Sequence, residues 1–270
     1  MIGAIIGDIA GSSYEFNPTN DYNFELFACG SNFTDDTICT VAVADALCND
    51  LDFGDSIHMW CRKYPSPMGG YGISFAHWVK SSQPKPYGSF GNGAAMRVSP
   101  VAWAYDNIND MMKKAEESAA CTHNHPEGIK GAQTVALAIR TAIQIREEHN
   151  NFFAEEDMQR LMKTCTDFSG YNLDIRMEDV QNKFDETCQG TVPVALWIIG
   201  QSTDFEDAIR RAVSLGADAD TLAAIVGSIA EAIWQIPPHI QTKALTFLPE
   251  DIKSVLLRFY ARYISRHGVQ

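Results

Sequence analysis

The chain has 270 residues, 46% of them apolar, with 34 acidic against 21 basic side chains and a formal charge of -13. That much apolar material can bury a substantial core, which excludes a disordered chain. The acidity argues against nucleic acid as a partner, because phosphate backbones are bound by clustered Lys and Arg.

The chain opens "MIGAIIGDIAG", apolar but without a basic start and interrupted by Asp8, so a secretory signal is not expected. Its glycines allow close helix packing or a tight exit turn, and Asp8 and Glu15 in "GDIAGSSYEF" read by themselves as an ordinary helix end. Next comes "FTDDT" at 33–37, two carboxylates between two threonines before a long apolar run. One of Thr34, Asp35 or Asp36 is enough to cap a helix starting near Thr37, which leaves the other charges to be explained.

The stretch from Tyr64 to Met96 and "DFSGYNLDI" from Asp167 are rich in Gly, Pro, Ser and aromatics and are expected to be long functional loops. Within the first, "FGNGAAMRVSP" sets Gly91 and Gly93 around Asn92 before a helix start, where backbone amides could cradle a phosphate. It is neither a Walker loop nor a dinucleotide fingerprint, and alone it reads as a turn.

Apolar residues then recur at helical spacing: Ile108, Met111, Met112 and Ala115, and after them Ile129, Ala132, Val135, Ala136, Ile139 and Ile143. Between these runs "CTHNHPEGIKGA" places His123 and His125 in a loop that Pro126 ends, before a helix from Glu127. No third nitrogen or sulfur ligand lies nearby, so a polar contact to a ligand or packing at a helix start is expected rather than zinc. Phe205, Ala208, Ile209, Ala212 and Val213 mark another amphipathic helix.

The segments opening near Thr34, Thr191 and Thr221 are small and apolar on almost every face, as for helices wrapped by other helices. The longest late apolar run, "TLAAIVGSIA", is about half of a bilayer span, so no membrane association is expected. The seven cysteines form no CxxC pair, which suggests a reduced, cytoplasmic setting without disulfides or thiolate zinc. Period-two alternation is nearly absent and no repeat or boundary is visible. The expected architecture is therefore all-α, a single domain over 1–270.

"GADADT" at 216–221 repeats the chemistry of the first cluster, with Asp218, Asp220 and Thr221 at another buried-looking helix entrance. Converging the two entrances would gather four carboxylates, which is costly without a cation. Oxygen-only donors suit magnesium or manganese before zinc, and this set could hold two divalent cations. No Gly-x-Ser-x-Gly elbow or Cys-His pairing is evident, so covalent nucleophilic catalysis is disfavoured.

In order along nearly the whole chain, "GDIAGSSYEF", "FTDDT", "GNGAAMR", "THNHPEGIKGA" and "GADADT" resemble the motifs of the ADP-ribosylglycohydrolases. That family includes dinitrogenase-reductase-activating glycohydrolase and the ADP-ribosyl-acceptor hydrolases. The resemblance implies an orthogonal helical bundle with a central cleft holding two magnesium or manganese ions. It implies Thr34, Asp35, Asp36, Asp218, Asp220 and Thr221 as metal ligands, and Glu15, ahead of Asp36, as the group that positions water or transfers a proton. Gly91, Asn92, Gly93 and Ala94 would line the ADP-ribose cleft, with His123 near the ligand. Ala217 departs from the glycine more usual there, without removing a ligand.

The implied activity is metal-dependent hydrolysis of the glycosidic bond between ADP-ribose and an ADP-ribosylated protein or other acceptor, releasing ADP-ribose. The acceptor, whether arginine, serine, a nucleic-acid base or another ADP-ribose, would be set by rim loops such as "YPSPMGGYG". Two alternatives stand beside it. One is a non-catalytic ADP-ribose-binding or structural member, since the fold also contains a lens crystallin. The other is a two-metal phosphodiesterase acting on a nucleotide sugar, which would release AMP.

Overall fold

The computed structural model describes residues 1–150 and 152–265, which are helical apart from turns, loops and two isolated bridges, Thr34 with Met68 and Gly91 with Thr187. The all-α expectation holds. In chain order the helices are α1 (Ile2–Gly11), α2 (Asp35–Asn49), α3 (Phe53–Lys63), α4 (Ile73–Lys80) and α5 (Gly93–Met96). There follow α6 (Ser99–Ala104), α7 (Ile108–Ala120), α8 (Pro126–Glu148), α9 (Glu155–Ser169) and α10 (Met177–Val180). Then come α11 (Cys188–Gln201), α12 (Phe205–Ser214), α13 (Ala219–Ile233), α14 (Pro238–Leu245) and α15 (Glu250–Phe259), the last running on as a π-helical turn, Tyr260–Ile264.

The centre is the pair α1 and α13, in which every residue is buried. The fit comes from small residues. A Cβ on Gly7 would lie 2.0 Å from the Ala223 carbonyl oxygen, and one on Gly227 would lie 2.2 Å from that of Gly3. Backbones this close bring Asp8 of α1 into the same layer as the first turn of α13. Gly7→Ala is expected to push the two helices apart and cost on the order of 3 kcal/mol, read as a fall of several degrees in Tm by circular dichroism. A variant melting with the parent would contradict this packing.

Outer helices bury one stripe each. α7 buries Met111, Ala115, Ser118 and Ala119 and is capped by Asn107, whose side chain accepts from the amides of Asn109 and Asp110 at 2.9 and 3.1 Å. α12 buries Phe205, Ala208, Ile209, Ala212 and Val213 under an Asp204 cap. The cysteines are free thiols. Among the described residues no helix is long and apolar enough to cross a membrane.

Boundaries differ from the sequence expectation in ways the packing explains. α2, α11 and α13 start two or three residues earlier than Thr37, Thr191 and Thr221: Thr34 and Thr187 cap the first two with their side chains, and Asp218 precedes α13 without a side-chain cap bond. The long stretch after Tyr64 contains α4, which the abundance of Gly and Pro around it hides. Its Phe75 and Trp78 are buried and stacked, ring centroids 5.6 Å apart. Likewise α9 runs through "DFS", and its loop begins only at Gly170, whose left-handed φ of 70° ends the helix.

Candidate metal centre and cleft

The entrance of α2 is built on extended backbone at Thr34, whose hydroxyl accepts from the amide of Asp36 at 3.2 Å. Asp35 and Asp36 then occupy the first turn, where the unpaired helix amides favour negative charge. Asp8 clamps this turn from α1. It accepts from the amide of Thr34 at 3.0 Å, the Thr34 hydroxyl at 2.7 Å, the amide of Thr37 at 3.1 Å and the Thr37 hydroxyl. An ordinary helix end is therefore too modest a description of Asp8. Its one sequence signal was a carboxylate on a helix otherwise made of Ile, Ala and Gly.

The second entrance is turned by Gly216, with φ at 70°, into Asp218 at the start of α13. Asn92 donates from one amide group to Asp218 Oδ2 at 2.7 Å and to Thr191 Oγ1 at 3.1 Å, which fixes the Asp218 carboxylate. Asp220 Oδ1 accepts from the amide of Thr221 at 2.9 Å. The two entrances touch directly, because the Thr221 hydroxyl donates to Asp36 Oδ2 at 3.1 Å across a separation of 185 positions. From the segment after α1, Glu15 joins Asp218 and Asp220, each offering an oxygen within 4.8 Å of the others.

Burial, then the field of Asp220, raises these acids. Asp8 is pushed up to about 7 and Glu15 to about 8, while Asp35, Asp36 and Asp218 lie well above the usual carboxylate range. Asp220 is raised by burial as well, against the hydrogen bonds it accepts. Two oxygens, Glu15 Oε2 and Asp36 Oδ1, are buried without a hydrogen-bond partner. Crowded carboxyls with unpaired buried lone pairs and no sulfur or nitrogen among them fit a hard cation.

All of these acids except the fully buried Asp8 line a cleft of about 610 Å³. Of the sequence-predicted ligands, Asp35, Asp36, Asp218, Asp220 and Thr221 line it. Thr34 lies behind them, buried, its hydroxyl turned to Asp8. Gly91, Asn92, Gly93 and His123 line one wall, whereas Ala94 is fully buried and packs into the core. Exposed Phe16, Ile73, Phe90 and Phe184 ring the mouth.

His123 presses its Nε2 edge against the glycine turn, where Cβ atoms on Gly91 and Gly93 would lie 3.4 and 3.2 Å away. Behind it, Arg97 donates to Thr122 Oγ1 at 2.7 Å, and that hydroxyl bonds His123 Nδ1 at 2.6 Å. Burial, then the Arg97 charge, holds the imidazole well below its ordinary pKa, so it is neutral at pH 7. His125 does a separate job, its Nδ1 accepting from the amide of Glu127 at 3.1 Å to cap α8. Two further residues serve the cleft without a local sequence signal: Arg97, which lines it and holds Thr122, and Thr191, which reaches it through Asn92, a partner distant along the chain.

Comparisons with known proteins point to one family. The family model described as ADP-ribosylglycohydrolase matches residues 1–267. The chain is 25% identical to ADP-ribosylhydrolase ARH3 of Homo sapiens, covering 93% of this chain and 90% of that protein. It is 26% identical to the putative ADP-ribosyl glycohydrolase L543 of Acanthamoeba polyphaga mimivirus, covering 87% and 85%. A solved structure, an ADP-ribosylglycohydrolase-related protein complex, superposes with a TM-score of 0.70 at 24% identity, over 97% of this chain and 96% of that one, which shows the shared fold.

Proposed function

This chain belongs to the ADP-ribosylglycohydrolase family and is a hydrolase of ADP-ribose glycosidic linkages; from that premise we propose that residues 1–270 act as one domain whose two aspartate-bearing helix entrances form a two-cation hydrolytic site. The observation that carries the proposal is the meeting of "FTDDT" and "GADADT" in one cleft, joined by the Thr221 to Asp36 bond.

Asp35, Asp36, Asp218, Asp220 and Thr221 would hold two divalent cations, magnesium or manganese, with Thr34 as the sixth and most recessed donor. Bound there, the ions would supply positive charge against the carboxylates and Lewis-acid polarisation of a sugar hydroxyl or water. The protein's own part is positional. Asn92 fixes Asp218, Asp8 fixes the first turn of α2, and Gly91, Asn92, Gly93 and neutral His123 offer a polar wall to ADP-ribose. Ala94 would serve that wall only as backbone packing.

Glu15, half-buried at the cleft and with a free oxygen, takes a proton from the attacking water. The water oxygen bonds to the anomeric carbon, the bond from that carbon to the acceptor breaks, and the proton taken up by Glu15 is returned to the departing acceptor. Asp36 is the second candidate for this proton transfer. The substrate would be an ADP-ribosylated protein or another ADP-ribosylated acceptor, and the product ADP-ribose.

Incubation with arginine- and serine-ADP-ribosylated polypeptides, in magnesium, manganese or chelator, with chromatographic identification of the released molecule, tests this. Intact ADP-ribose released only with metal is the expected result. AMP would replace the reading by a phosphodiesterase, and ADP-ribose binding without turnover would replace it by a binding protein.

A further inference from the structure

The loop between α3 and α4, "YPSPMGGYG", is pinned at several points. Met68 bridges to Thr34, the amide of Gly70 donates to the Pro67 carbonyl at 3.1 Å, and the Tyr71 hydroxyl lies 2.7 Å from the Tyr64 carbonyl oxygen. Between these anchors Gly69 and Gly70 both adopt left-handed backbone, φ +75° and +85°, which side chains disfavour. Their surroundings differ. A Cβ on Gly70 would meet nothing within 4 Å, but one on Gly69 would stand 2.7 Å from Glu15 Oε2.

That same Oε2 is buried and accepts no hydrogen bond. On this side, then, the Glu15 carboxyl is bounded by contact alone, in space that exists because residue 69 has no side chain. We infer that Gly69 is a positioning residue for the reaction: the pinned loop walls the Glu15 carboxyl toward Asp218 and Asp220, and a methyl group at residue 69 would displace it. A carboxyl at the end of a flexible side chain yields easily, so the fold should lose little while the reaction loses its aligned base. The inference rests on the role proposed for Glu15.

The test measures kcat and KM for ADP-ribose release from an ADP-ribosylated peptide with Gly69→Ala, Gly70→Ala, Glu15→Gln and the Gly69→Ala, Glu15→Gln double variant. Gly69→Ala is expected to lower kcat on the order of 10²-fold, the cost of a misplaced group near 1 Å, with KM held. Gly70→Ala carries a similar backbone strain without the clash with Glu15 and should lower kcat far less than Gly69→Ala. In the Glu15→Gln background Gly69→Ala should add almost nothing, since the group it displaces is already disabled. Equal kcat for Gly69→Ala and Gly70→Ala, or losses that multiply in the double variant, would overturn the positioning role while leaving Glu15 in place. Parent-like turnover by Glu15→Gln would instead overturn the role of Glu15 and this inference with it.

Discussion

Asp220→Asn is expected to abolish turnover and, in the absence of metal, to make the protein more stable. The carboxylate of Asp220 is the one whose field acts on all the others, contributing to the raised pKa of Asp8, Glu15, Asp35, Asp36 and Asp218. An amide keeps the shape and still accepts from Thr221, but removes that shared repulsion. Relief of about 2 kcal/mol would raise Tm by several degrees in chelator. Activity should fall on the order of 10³-fold or more, roughly 4 kcal/mol of barrier.

The sign of the pH dependence follows from the same shifts. A carboxyl whose folded pKa is raised binds protons more tightly folded than unfolded, so its favourable contribution is present at low pH and lost as pH rises toward the folded value. Metal-free parent protein should therefore lose stability from about pH 4 toward 7 and 8, the values reached by Asp8 and Glu15, and Asp220→Asn should flatten that decline. Thermal melts across this range, with and without magnesium, check it. A parent whose metal-free stability rises over that window, or an Asp220→Asn variant that melts earlier, would contradict the crowded-carboxylate account.

The parts of this site legible in sequence are those written locally. "FTDDT" and "GADADT" each show more charge than a cap needs, and each precedes a run of small apolar residues, so burial and a cation could be inferred together. Asp8 was not legible as a clamp because its role depends on α1 lying against α13 closely enough to face α2, a consequence of Gly7 meeting Ala223. Thr34 and Ala94 show the opposite limit. A motif names neighbours in sequence, but helix rotation decides which of them face the cleft, and these two turn inward. The resemblance makes Glu15 a group that approaches the metals and transfers a proton, and in the structure it stands with Asp218 and Asp220 among the oxygen donors.

Glu15→Gln is the variant that separates those two roles. Loss of a positioned acid or base is expected to lower kcat by 10² to 10⁴-fold, with KM near the parent's because the amide fills the same space. The carboxyl lifted to about 8 without metal is mostly protonated at pH 7, by burial and by the charges of Asp220, Asp8 and Glu186. A cation beside Asp218 and Asp220 would reverse that balance and expel the proton, so binding should be coupled to proton release. Titration calorimetry in buffers of different ionisation enthalpy counts those protons. At pH 7 the Glu15→Gln variant should release close to one fewer than the parent while still binding the ion. Unchanged proton release together with an unchanged kcat would withdraw Glu15 from the chemistry. Proton release lowered but kcat preserved would leave it as a donor to the ion alone, and Asp36 would then take the proton-transfer role.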